Sequence, residues 1–196
     1  WDEGEPKKAF DKAISHASKV AMSLSDLFCV DRHKPHFLNL VKDKLDITFA
    51  NEQEITSLIN AKKVAMSLSD QFCVDRHKPH FLELVKNKLD ITFANEQEMT
   101  SLIGAKNFNE VINFSKQLNK LVVVTRGDKG ALAIKGEEVI ESGVLQNLKI
   151  LDLTGAGDLF AAGFLHGYVN KLSTKNSLEK GTEMSSKVIQ QIGARL

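Results

Sequence analysis

The residues whose types and order could do chemistry are concentrated in one run, Asp152-Leu153-Thr154-Gly155-Ala156-Gly157-Asp158. An extended segment runs into two glycines, and the apolar pattern after them predicts a helix over 159–169. Such a turn leaves backbone N–H groups unpaired at a helix N-terminus, where they can hold an anion, and glycines let a phosphate approach the main chain. The run is not a dinucleotide fingerprint, because the last position of G-x-G-x-x-G would be Phe160, too large for the close helix packing that a third glycine allows. Nor does a Gly-Lys-Ser/Thr follow, which excludes a Walker-type loop. Asp158 has two readings. A carboxylate in the first helical turn is favoured by the helix dipole alone. Beside an anion site, however, it opposes phosphate binding unless it serves the reaction as the base that accepts a proton from an attacking hydroxyl.

Two further segments carry candidate groups, each following a strand pattern. Asn95-Glu96-Gln97-Glu98 places an N-cap residue and its partner three positions on, the spacing of a capping box, and also offers a carboxylate at the end of a strand. Thr125-Arg126-Gly127-Asp128-Lys129-Gly130 carries glycines that would shape a tight turn. Ligands of open parallel sheets bind at the carboxyl ends of strands, which favours a functional role for both. His166 falls within the apolar 159–169 stretch and reads as a packed or surface histidine.

The 152–158 run, followed by Leu159-Phe160 and Gly163, closely resembles the C-terminal signature of the PfkB, or ribokinase-like, carbohydrate and nucleoside kinases. The resemblance implies that Asp158 is the catalytic base and that the amides of Gly155, Ala156 and Gly157 form the anion hole for the transferring phosphoryl group. By the same resemblance, Asn95 and Glu98 form an N-x-x-E motif linked to Mg2+ and phosphate positioning. Thr125, Arg126, Gly127 and Gly130 match a nucleotide-binding T-x-G-x-x-G turn that holds ATP. Asp152 and Thr154 lie where family members often hold a monovalent cation such as K+. Residues 69–76 and the terminal Ile192-Gly193-Ala194-Arg195 look most like the bacterial adenosine-kinase-like branch, with Gly193 added to the nucleotide site. The implied partner is a nucleoside or sugar substrate. The match covers only the C-terminal half of a complete member, without the acceptor-recognition half and its lid. The expectation is therefore negligible phosphotransfer by this chain alone, with a non-catalytic nucleotide-binding fragment or an assembly artefact as the alternatives.

The elements that must position these groups include an internal copy. Residues 19–62 recur as 63–106, differing only at Leu27/Gln71, Asn39/Glu83, Asp43/Asn87, Ile55/Met99 and Asn60/Gly104. In copy two, 64–68 and 90–94 read as strands, and 79–88 as a helix with Phe81, Leu82, Val85 and Leu89 inward. A second helix is expected over 96–103. Further helices are expected over 5–18, 108–118 and 177–192, a buried strand over 120–125, and a hairpin over 131–135 and 139–141 about Gly136-Glu137. Residues 148–153 read as a short strand or extended lead-in. The fold class is α/β, a mostly parallel sheet covered by helices, read as one domain over 1–196 with tandem units. Copy two runs straight into the 108–118 helix, so Asn95 and Glu98 rather than Asn51 and Glu54 are assigned the functional role. Copy one is expected to add strands over 20–24 and 46–50.

Composition excludes several classes. The 26 basic and 25 acidic residues leave a net charge of +1, too little for a nucleic-acid coat or membrane-surface protein. The apolar runs are far shorter than the roughly 20 residues of a spanning helix. The opening WDEGEPKK has no initiator Met and no leader character, so the start of the gene product is expected to be missing. Cys29 and Cys73 are one repeat position copied twice, which suggests reduced thiols in a cytoplasmic protein. With His33, His36, His77 and His80 they could also be read as zinc ligands, but a tetrahedral site needs closely paired ligands, and a duplicated surface turn is the simpler reading.

Overall fold

Short apolar runs and helical periodicity each find their element in the computed structural model, which describes residues 5–17, 20–23, 30, 32–49, 63–68 and 70–194. The chain divides into two compact units, Trp1–Met66 and Ser67–Leu196, a boundary a few residues past the junction of the two repeat copies.

In the first unit, helix α1 (Glu5–His16) precedes strand β1 (Ala21–Ser23), helix α2 (Lys34–Asp43) and strand β2 (Ile47–Phe49). Strands β1 and β2 pair in parallel with Ala21 opposite Ile47, and Phe49 of β2 lies opposite Ala65 at the start of β3 (Ala65–Ser67). The strands expected for copy one are thus formed, and a parallel pair joined by a helix is the natural product of this strand-helix-strand grammar. Asp46 ties the starts of the two strands together: its N–H donates to Val20 O at 2.8 Å, and its carboxylate accepts from Val20 N–H at 2.9 Å. Phe37, Leu40, Val41 and Leu45 form the core of this unit, with Phe10 and Ile14 of α1 packed against it. Asn51, Glu54 and Cys29 lie outside the described residues.

The second unit carries copy two and everything after it. Asp70 caps helix α3 (Gln71–Arg76), its carboxylate accepting from Cys73 N–H at 2.9 Å. This helix is absent from the sequence-based expectation. Next comes helix α4 (Lys78–Glu83), which widens into a π-helical turn over Leu84–Lys88, closed by Leu89 N–H on Leu84 O at 2.9 Å. Leu84 is buried with Phe81, Val85 and Leu89, the spacing of three and four that a regular helical stripe gives, whereas Leu82, expected inward, falls beside this stripe and is only half-buried.

Strand β4 (Ile91–Asn95), helix α5 (Glu96–Ile103), helix α6 (Phe108–Leu118) and strand β5 (Leu121–Thr125) follow closely on the expected bounds. Strands β4 and β5 are parallel in the register Ile91 opposite Leu121 and Asn95 opposite Thr125. Strands β6 (Ala131–Lys135) and β7 (Glu138–Ser142) form the expected hairpin about Gly136-Glu137. Because β6 also runs antiparallel to β5, the sheet is mixed: its parallel part lies at β4 and β5, and the hairpin closes it. Helices α7 (Ala156–Val169) and α8 (Thr174–Val188) cover this sheet, with Phe164 meeting Phe93 edge-on at 5.6 Å. They approach closely because Gly163 lacks a side chain; a Cβ there would stand 2.5 Å from Lys180 O. Helix α8 ends before Ile192, which is 87% exposed rather than packed as its helical spacing suggested. Residues 143–153 form no strand and run irregularly to the glycine turn. No described helix is long and apolar enough to cross a membrane.

Candidate functional site

Three loops leave neighbouring elements of the second unit and meet around the glycine turn. The first is the start of α5. Asn95 Oδ1 accepts from Glu98 N–H at 2.8 Å, and Glu98 Oε2 accepts from Asn95 N–H at 2.9 Å, a complete capping box. Asn95 Nδ2 also donates to Glu98 Oε1 at 2.7 Å, so the two side chains are locked together. Glu98 is only 5% exposed. Burial raises its carboxyl above the ordinary value; the Asn95 N–H opposes this, and the charge of Asp70 adds to it. The capping box is formed, and it leaves Asn95 and Glu98 lining a cleft.

That cleft, about 290 Å³, is also lined by Ser67, Phe93, Thr125, Gly155, Gly157 and Asp158. Gly155 is the N-cap of α7 with φ 78°, a left-handed conformation that costs other L-residues. The Ala156 N–H turns back to Leu153 O at 3.1 Å, while the amides of Gly155, Gly157 and Asp158 meet no acceptor among the described residues. Open donors at the start of a long helix form a site for an anion. The Asp158 carboxylate has neither a hydrogen bond nor an ion pair there. It stands at the third helical position without closing a cap, unlike Glu98 at the equivalent place in α5.

Behind the glycine turn lies a second cavity of about 510 Å³. Gly127, Gly130, Val144, Leu145, Leu148 and Ile150 contribute to its walls, with Thr182, Ser185, Ser186 and Ile189 from the α8 side. Thr125, Leu153, Ala156, Gly157 and Phe160 border both cavities, so the glycine turn separates a polar chamber from a largely apolar one. Sequence reasoning missed the apolar wall. Its only signal was a run of large apolar residues, Val144 to Leu153, in a segment too irregular to bury them; Leu153 is 66% exposed and Ile150 60%.

Other candidates stand apart from both chambers. Asp152 accepts from Gly193 N–H at 2.9 Å and from Thr154 Oγ1 and N–H at 2.7 and 2.9 Å. The Gly193 N–H, then the two Thr154 donors, hold its carboxyl below the ordinary value. Asp152, Thr154 and Gly193 thus form a brace that ties residues 152–154 to the segment after α8. The Arg126 side chain lines neither chamber; it pairs with Glu96 at 2.9 Å and stacks on Phe108. His166 is exposed on α7.

Among the described residues, the buried Glu98 carboxylate with no cation paired to it, the unpaired Asp158 carboxylate and the open amides are donors of the chemical kind that magnesium and a phosphate chain take, although no three metal-ligating side chains gather there. Replacing Glu98 by Gln tests its state. Its raised pKa means that stability is greatest below the ordinary carboxylate value and falls as pH rises through the folded one. The stability of Glu98→Gln relative to the parent should therefore improve from pH 4 to pH 8, read from urea midpoints. A difference constant over that range would exclude a buried titrating carboxylate.

The family described as pfkB family carbohydrate kinase matches residues 49–196. An ATP-dependent 6-phosphofructokinase of Thermoanaerobacterium thermosaccharolyticum is 37% identical over 86 residues, 44% of this chain and 26% of that protein. A cytidine kinase of Thermococcus kodakarensis is 37% identical over 75 residues, 38% of this chain and 27% of that protein. The crystal structure of adenosine kinase from Sinorhizobium meliloti is similar with a TM-score of 0.74 and 31% identity, over 81% of this chain and 53% of that one. The matched part thus spans about a quarter of these curated relatives and about half of the solved chain.

Proposed function

The chain belongs to the pfkB family of carbohydrate kinases, and on that premise we propose that its second unit serves ATP-dependent phosphotransfer to a hydroxyl of a nucleoside or sugar. The observation that carries this is Asp158, without a partner among the described residues, on a glycine turn whose amides of Gly155, Gly157 and Asp158 meet no acceptor among them, set between a polar and an apolar chamber. The nucleobase takes the apolar chamber beside Val144, Leu148 and Ile150, and the phosphates run past Gly127 and Gly130 to the turn. The acceptor hydroxyl lies in the polar chamber and gives its proton to Asp158 as its oxygen attacks. Amides at Gly155, Ala156 and Gly157 stabilise charge on the transferring group; among them Ala156 must release Leu153 O to take part. Asn95 holds the Glu98 carboxylate in place, and Glu98 would be the group that helps hold magnesium. Magnesium, when bound, supplies neutralisation of phosphate charge.

The relatives named above are kinases of a sugar phosphate, of cytidine and of adenosine, so the acceptor class stays at nucleoside or sugar. The coverage of relatives favours a second reading, that this length of chain binds the nucleotide without appreciable turnover. Calorimetric titration with ATP and magnesium, paired with an assay of ADP release over a panel of sugars and nucleosides, tests both. The expected result is one ATP bound per chain and negligible acceptor-dependent ADP release. Absence of ATP binding would overturn the kinase reading; release at enzyme-like rates would overturn only the inactivity of this length of chain.

A further inference from the structure

We infer that Arg126 is a positioning residue: its ion pair with Glu96, clamped over Phe108, sets the spacing between the Asn95–Glu98 cap and the Gly127–Gly130 turn. The inference rests on the nucleotide reading above and changes what Arg126 does in it, from contact with the nucleotide to support of the loops around it.

The two loops have a common origin. They leave the carboxyl ends of parallel neighbours β4 and β5, whose last residues Asn95 and Thr125 are opposite each other. Beyond that pair no ladder holds them together. Glu96 and Arg126, the next residue on each chain, close the gap, with Arg126 Nε donating to Glu96 Oε2 at 2.9 Å. The guanidinium carbon lies 3.9 Å from the centre of the Phe108 ring at the start of α6, and the Lys129 ammonium comes within 3.9 Å of the same Glu96 oxygen. The two partners are 21% and 29% exposed, more sheltered than an ordinary surface pair. A planar guanidinium held on one face by an aromatic ring and along one edge by a carboxylate has little freedom left, a geometry a lysine cannot reproduce.

Each partner is also the root of the loop it belongs to. Arg126 N–H donates to Gly130 O at 2.8 Å and Lys129 N–H donates to Arg126 O at 3.1 Å, so the glycine turn hangs on the Arg126 backbone. Glu96 is the first residue of α5, between Asn95 and Glu98. Tilting either side chain moves a loop that lines one chamber relative to a loop that lines the other. Arg126 itself lines neither chamber.

The test is a cycle of Arg126→Met, Glu96→Gln and the double variant in the full 196-residue chain, with Arg126→Lys as the conservative control. ATP affinity is read by calorimetry, and amide exchange is read at Glu98, Lys129 and Gly130. The expected result is a loss of affinity of about five-fold in each single variant, no further loss in the double, and partial recovery in Arg126→Lys. Exchange should quicken at both loops in either single variant and stay unchanged in α7. Arg126→Met losing affinity while Glu96→Gln keeps it would mean direct contact with the nucleotide and overturn the brace; so would losses that simply add. If the parent chain binds no ATP, the kinase reading fails and exchange alone decides: unchanged rates at both loops in Arg126→Met overturn the brace, and faster rates at both support it.

Discussion

Asp158→Asn should remove the residual acceptor-dependent ADP formation that this length of chain supports, a fall of up to about 10²–10⁴-fold, with ATP affinity unchanged or slightly tighter. The rate is best read with the chain in excess over ATP, so that even slow transfer is visible. The expectation follows from what Asp158 lacks. No donor holds it among the described residues, so its removal leaves no buried group unpaired, and the only stabilising effect lost is its interaction with the α7 dipole, about 0.3–1 kcal/mol. A carboxylate beside open amides repels phosphate, so a change to Asn cannot weaken nucleotide binding through charge. A variant that loses ATP affinity in step with turnover would show that Asp158 acts in binding. One that keeps turnover would remove it from the reaction altogether.

The second large effect is expected at Gly155. Gly155→Ala should destabilise the chain by about 2–5 kcal/mol and weaken ATP binding, read from urea midpoints and titration. Two costs combine. The residue is at φ 78°, where a non-glycine pays about 1–2 kcal/mol, and a new Cβ would stand 2.8 Å from Ala194 Cβ and 3.0 Å from its Cα, an overpacking of about 1–3 kcal/mol. Ala194→Gly in the same chain should return the steric part and leave the backbone part. Equal stability of Gly155→Ala and the parent would show that the turn is free to relax, and so not a preformed anion site.

The elements around the site were legible because each is written locally. Asn95 and Glu98 announce a helix start by type and spacing, the β-branched run from Val122 to Val124 announces a buried strand, and Gly136-Glu137 announces a hairpin turn; all three are formed. The same locality explains the failures. Leu82 adjoins the buried stripe of Phe81, Leu84, Val85 and Leu89, and helical period alone does not say how wide that stripe is; the π-helical turn after α4 likewise carries no mark in spacing. Ile192 continued a helical period past the point where α8 stops.

In the candidate site, groups that lie close in sequence were legible as one motif, and those brought together across the fold were not. The glycine turn and Asp158 are adjacent in sequence and came as one motif. Arg126 sits in a nucleotide-binding pattern, yet its side chain turns to Glu96, 30 residues away, which no spacing rule connects to it. The apolar wall of the second chamber comes from an irregular segment and from one face of α8, brought together only by the fold. Asp152 and Thr154 offered oxygen atoms suited to a cation, but a distant Gly193 N–H and the neighbouring Thr154 donors occupy the carboxylate.

The claim on which the rest depends is that phosphate is held at the α7 glycine turn with the base in the chamber behind it. Amide chemical shifts followed by NMR during titration with ATP and magnesium test this most directly. The expected result is that the largest changes fall on Gly155, Ala156, Gly157 and Asp158, with a second group at Gly127 and Gly130 and smaller ones along residues 144–150. Saturable binding that leaves the amides of 155–158 unmoved, or no binding at millimolar ATP, would contradict it.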